Sequence, residues 1–107
     1  MSYHYFLNED KTYRPCNLHE WAMQFREIDR HVGDDIVDNC RVSTVWLGLD
    51  NNYFEEPPLV FETMVFDAEK HGSDIYSYRY TTWDEAIEGH KKAIQWVLDG
   101  CVDDESR

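Results

Sequence analysis

The sequence predicts an α+β domain of order β-α-β-β-β-α, a mainly antiparallel sheet with two helices packed on one face. Three observations carry that expectation. Runs 40–49, 59–66 and 75–80, rich in β-branched and aromatic residues, follow one another between turn-forming breaks at Asp50-Asn51-Asn52, Pro57-Pro58 and His71-Gly72-Ser73-Asp74, the pattern of a meander. Two flanking stretches repeat apolar residues at helical spacing. Both open on reciprocal capping pairs, Asn17 with Glu20 and Thr82 with Glu85.

In chain order, the aromatic segment from Tyr3 to Asn8 reads as a first strand able to join the edge of the meander, and Asn8-Glu9-Asp10-Lys11 as its closing turn. Tyr13 to Cys16 is extended, because Pro15 pushes the residue before it out of the helical region. Asn17 opens the first helix, whose stripe is Leu18, Trp21, Ala22, Phe25, Ile28 and Val32, with Gln24 outside it and Gly33 as its stop. Residues 34–39 form an acidic connection. After the three central strands, Thr82 caps a second helix with inward residues Trp83, Ala86, Ile87, His90, Ala93, Ile94, Val97, Leu98 and Cys101, ended by Gly100. Residues 102–107 are an acidic tail expected to fray.

At 107 residues the chain makes one domain, 1–107, with enough length for its own core. Its 22 acidic against 10 basic side chains give a net charge of −12, which repels duplexes and anionic membranes and excludes direct nucleic-acid binding. The same excess attracts a basic groove on another protein. Cys16, Cys40 and Cys101 have neither an even count nor metal-ligand spacing, so reduced thiols in a cytoplasm are expected, with no cofactor and no metal. No basic, apolar leader and no run of membrane-spanning length is present, so the product is expected to stay soluble where it is made.

The residues that could carry chemistry are few, and no motif names a reaction. His90 lies in the apolar stripe of the second helix beside Gly89, which lets a bulky neighbour approach closely. Without the rest of a site it reads as a buried histidine bonded to a strand residue such as Ser43, Thr44 or Glu62, with a small enzyme centred on His90 as the alternative. Glu62 and Arg79 sit mid-strand on neighbouring strands and are expected to pair. Tyr76, Tyr78 and Tyr80 share one parity and line one sheet face. With Arg79 and His90, Tyr78 makes the candidate site for a small ligand such as a sequestered nucleotide. The acidic groups Asp34, Asp35, Asp38, Glu55 and Glu56 are the candidate partner-binding residues, against the plainer reading of a solubilising coat. Both parities of the second and third strands are apolar, so the sheet face that the helices leave bare is expected to make a homodimer.

The strand pair 42–50 and 58–66, followed by Arg79-Tyr80-Thr81-Thr82-Trp83-Asp84-Glu85-Ala86 and Gly89-His90, resembles a family of short uncharacterised bacteriophage proteins, and the start His4-Tyr5-Phe6-Leu7 fits it too. The resemblance covers most of the chain and brings no assigned site residues. It implies a phage setting in a host cytoplasm, where small acidic accessory proteins bind and disable host proteins. Joined to the charge, it leads to the expectation of a non-enzymatic inhibitor of a host protein with a basic nucleic-acid groove, such as a defence nuclease, through an acidic surface that imitates nucleic acid.

Overall fold

Alternating β-branched and aromatic residues build the centre of the molecule. The computed structural model describes residues 3–52, 56–68 and 73–101. Its elements are β1 His4–Leu7, β2 Tyr13–Cys16, α1 Leu18–Glu27, β3 His31–Val37, β4 Cys40–Trp46, β5 Phe61–Asp67, β6 Ser73–Tyr80 and α2 Trp83–Leu98. β3-β4-β5-β6 form one antiparallel sheet in chain order, and β1 pairs with β2 in a separate hairpin. The class is α+β. α2 packs across all four strands of the larger sheet, and α1 lies against β1. No helix of the described residues is long and apolar enough to cross a membrane.

β4 and β5 alternate as a half-covered sheet requires. Cys40, Val42, Thr44 and Trp46, with Phe61, Thr63 and Val65, face α2 and are buried. Trp46 and Phe61 join Tyr5, Leu7, Val60, Tyr80 and Ala86 in one core cluster, while Val42 and Val65 join Cys40, Ala93 and Val97 in the other. α2 begins and ends as its sequence predicts. Thr82 and Glu85 satisfy each other's backbone donors, Asp99 caps the end, and Gly100 takes a left-handed φ of 88°. Leu98, expected inward, is exposed.

The N-terminal half departs from the sequence reading in three places. α1 stops at Glu27, and the segment expected to finish it and form an acidic connection is β3, paired with β4 from His31↔Val45 to Val37↔Cys40. The turn that makes this hairpin possible is Asp38-Asn39, both at positive φ (47° and 67°). Two such residues between strands favour a tight turn, since Asp and Asn tolerate the left-handed region. Second, Tyr13–Cys16 is a strand in its own right, and β1 pairs with it; β1 meets the segment after β4 through the bridge His4↔Leu49 and through the Tyr5 N–H, which donates to the Gly48 carbonyl at 2.8 Å. Third, Gln24 is the buried residue of α1, while Leu18 is exposed. The Gln24 amide takes the place of a strand neighbour: it accepts from the Leu7 N–H (2.9 Å) and donates to the Leu7 carbonyl (2.7 Å). A buried polar group must be bonded, and two bonds to one residue's backbone outweigh the pattern of apolar spacing.

Two glycines are set by packing. A Cβ on Gly89 would stand 2.1 Å from the Tyr80 ring, and one on Gly33 would stand 2.7 Å from the His90 ring. Gly33 therefore serves the interface of α2 with β3 rather than a helix end. The expected outcome for Gly89→Ala is a loss of about 1–3 kcal/mol from overpacking, read as a lower urea midpoint with an unchanged slope. A midpoint equal to the parent's would show that Tyr80 can move aside freely.

Candidate functional site

A line of polar side chains crosses the interface between α2 and the sheet. His90 Nε2 lies 2.7 Å from Asp35 Oδ2, His90 Nδ1 lies 2.7 Å from Thr44 Oγ1, and Thr44 Oγ1 bonds Thr63 Oγ1 on the next strand. Thr44 and Thr63 are 0% exposed, and His90 is 7% exposed. A carboxylate only accepts, so Nε2–H donates to Asp35. In the neutral ring Nδ1 then accepts from the Thr44 hydroxyl, which accepts in turn from Thr63. The buried polar side-chain atoms of the line, on His90, Thr44 and Thr63, are each matched, as burial requires.

The set of acid, imidazole and hydroxyl has the composition of a hydrolytic triad, but the geometry opposes that use. A nucleophile must meet a carbonyl carbon, and Thr44 is sealed beneath α2 with its hydroxyl bonded on both sides. The one solvated member is Asp35. What the line does is join β3, β4 and β5 to the middle of α2. The strand partner expected for His90 is found as Thr44. The sequence pattern does not single out Asp35 or Thr63, although Thr63 stands at the buried parity of an apolar strand, which is itself a sign that its hydroxyl has a partner.

The remaining candidates are divided between the sheet's two faces. Asp34 lies on the face away from α2, where Arg41 Nε and an Arg41 terminal nitrogen donate to its two oxygens at 2.9 Å. These bonds hold the Asp34 carboxyl below the usual range. Asp35 points to the other face, as alternation demands. Asp38 is exposed in the β3–β4 turn, Glu56 is exposed before Pro57, and Glu55 lies outside the described residues. Arg79 pairs with Glu62 at 2.9 Å, as expected, and this pair stands on the face opposite His90. Tyr78, Arg79 and His90 therefore do not meet in one pocket.

Tyr76, Tyr78 and Tyr80 do share a site, but with different company. They line a groove of about 530 Å³ between β6 and α2, with Asp84, Glu88 and Lys92 on the helix side. Burial, with the nearby Tyr76 and Tyr78, pushes the Tyr80 hydroxyl up to about 12, although Thr63 opposes the shift. Thr63 stands close by, yet among the described residues the buried Tyr80 hydroxyl has no hydrogen-bond partner. Among the described residues no three His, Cys, Asp or Glu side chains are placed to hold a metal ion.

Comparison of the chain with protein-family models, with curated proteins and with solved structures finds no match.

The polar line makes a graded prediction. Thr44→Val strands His90 Nδ1 and the Thr63 hydroxyl, and His90→Ala also opens a cavity, so each is expected to cost about 1–3 kcal/mol. Asp35→Asn is expected to cost less, because water already reaches that end of the line. Urea denaturation of the three variants checks the order. A stability loss for Asp35→Asn exceeding that of Thr44→Val would place the important contact at the surface instead.

Proposed function

We propose that the chain is a non-catalytic accessory protein, phage-derived by the resemblance of its strands and second helix, that acts in the host cytoplasm by binding a host protein through an acidic, nucleic-acid-like surface. The observation that supports this best is the disposition of charge. Arg14, Arg41, Arg79 and Lys91 are each held by a carboxylate of the chain itself, while acids outnumber bases 22 to 10. The outward field is negative, and such a field steers the molecule toward a lysine- and arginine-lined groove. The sealing of His90 and Thr44 favours binding over catalysis. The acidic rim of the tyrosine groove, with Arg79 on the opposite sheet face, speaks against the alternative of a sequestered nucleotide.

Affinity capture from host lysate at low and high salt, followed by competition with duplex DNA, tests the reading. The expected result is a basic nucleic-acid-binding protein that is released both by salt and by DNA. Asp38→Asn combined with Glu56→Gln should weaken that capture at unchanged stability, since asparagine tolerates the φ of residue 38 and both side chains are exposed. Capture that survives high salt and a filled groove would leave the acids as a solubilising coat.

A homodimer through the helix-free sheet face is the second part of the proposal. Ile36 stands there at 79% exposure, in line with the partly buried Val45, Met64 and Phe66. Sedimentation at micromolar concentration is expected to show a dimer that Ile36→Asp converts to monomer. A monomeric parent protein would remove this part and leave the acidic surface untouched.

A further inference from the structure

β6 ends the strand order of its sheet, so among the described residues its outer row of backbone amides and carbonyls has no strand partner. Beside this edge lies the groove of about 530 Å³, within the size range of ligand sites. Tyr78 is 59% exposed, and its ring centre lies 5.3 Å from that of Tyr80. Across the groove, Asp84 and Glu88 follow each other at one helical turn on α2, and Lys92 lies one turn further. Tyr80 is 8% exposed and lines the groove, and among the described residues its buried hydroxyl has no hydrogen-bond partner.

We infer that this groove binds an extended basic segment of the partner protein, which adds a strand to β6 and lays an arginine or lysine side chain over Tyr78 beside Asp84 and Glu88. The inference rests on the acidic-surface reading and names the part of the partner that is gripped. Each half of the site selects its own feature of the ligand. A bare strand edge offers alternating donors and acceptors, which only an extended backbone can match along its length. On the α2 side the direct neighbours of the added strand are the tyrosines, whose ring faces attract cations, and the carboxylates supply the opposite charge.

The groove is also polar along its length. α2 runs from Gly89 against Tyr80 to Trp96 against Tyr76. Asp84 and Glu88 therefore stand toward the Tyr80 end, and Lys92 beyond them toward Tyr76. A cation is favoured over the exposed Tyr78 ring, beside Glu88, and disfavoured further on toward Lys92, which fixes the position of the basic residue in the bound strand. Lys91 holds Glu88 at 3.4 Å, but both side chains are well exposed, and so weak a pair yields readily to a better-placed cation.

The test uses the full chain and a blocked peptide of alternating arginine and valine, with its glutamate counterpart and spermidine as controls. The expected result is binding of the arginine peptide alone, with shifted and exchange-protected amides in β6. Tyr78→Ala and Glu88→Lys, at unchanged melting temperature, should each weaken it by about tenfold, and Tyr78→Phe should restore it by keeping the ring face. Equal binding of the glutamate peptide, spermidine binding as tightly as the peptide, shifts lying away from β6 and α2, or β6 protection that appears in the protein alone with rising concentration would each overturn the inference. Salt-sensitive capture of the host protein that is unaffected by Tyr78→Ala also overturns this groove while the acidic-surface reading stands. Peptide binding at β6 with salt-insensitive capture supports the groove and sinks that reading.

Discussion

The structure depends most on one buried imidazole. His90 sits between helix and sheet with both ring nitrogens bonded, and an unpaired nitrogen there would carry the full cost of desolvation. Meeting that requirement constrains three strands together. β4 must bring Thr44 under the helix, β5 must bring Thr63 beside it, and β3 must pass close enough for Asp35 to reach. The last condition leaves no space for a side chain at residue 33. Strand register is then specified twice over. Slipping β3 by one residue would turn Asp35 away from His90 and turn Asp34 away from Arg41, breaking an interaction on each sheet face.

The same imidazole sets the position of α2 along the sheet, and with it the rest of the interface. With residue 90 fixed over Thr44, residue 89 falls on the Tyr80 ring, where only glycine fits. One end of the helix then brings Trp83 to Phe61, and the other packs Trp96 on Tyr76 with ring centres 4.9 Å apart. Polar bonds choose the register, and apolar burial on both sides of them supplies most of the stabilisation. The groove beside β6 is a by-product of this arrangement: the helix is held over the strands, and the outermost tyrosines are left only partly covered.

The elements that the sequence makes plain are those whose local signals agree with their tertiary roles. Thr82 with Glu85, the apolar stripe to Val97 and Gly100 all point to α2, and the alternation from Cys40 to Trp46 points to β4. β3 was hidden because its local signals conflict. Ile28 and Val32 continue the helical spacing of α1, and Gly33 resembles a helix stop, yet the strand gains its stability from β4 and from His90, which lie far along the chain. The Asp38-Asn39 turn was the available clue. His90 itself was legible as a structural residue, from its place in a stripe with nothing catalytic near it. Its Asp35 partner was not, since residues 35 and 90 are joined only once β3 exists. Alternation alone puts Tyr76, Tyr78 and Tyr80 on one face, but which charged groups they meet depends on the helix position.

The acidic excess becomes more informative once each carboxylate is assigned to its local task. Glu20 and Glu85 close capping pairs, Asp34 and Glu62 hold arginines, Asp35 orients His90, and Asp38 suits a left-handed turn. These acids serve the fold as well as the outward field, so the charge that only a partner would use lies elsewhere. Asp84 has a partial reason, because it lies near the positive end of α2, and that attraction fades beyond the first turn. Glu88 lies beyond it. Its only ion pair among the described residues is the loose one with Lys91. The carboxylates least explained by folding thus include two on the flank of α2 that borders the exposed tyrosines, and it is there, rather than along β3, that the surplus charge and the uncovered aromatic surface coincide.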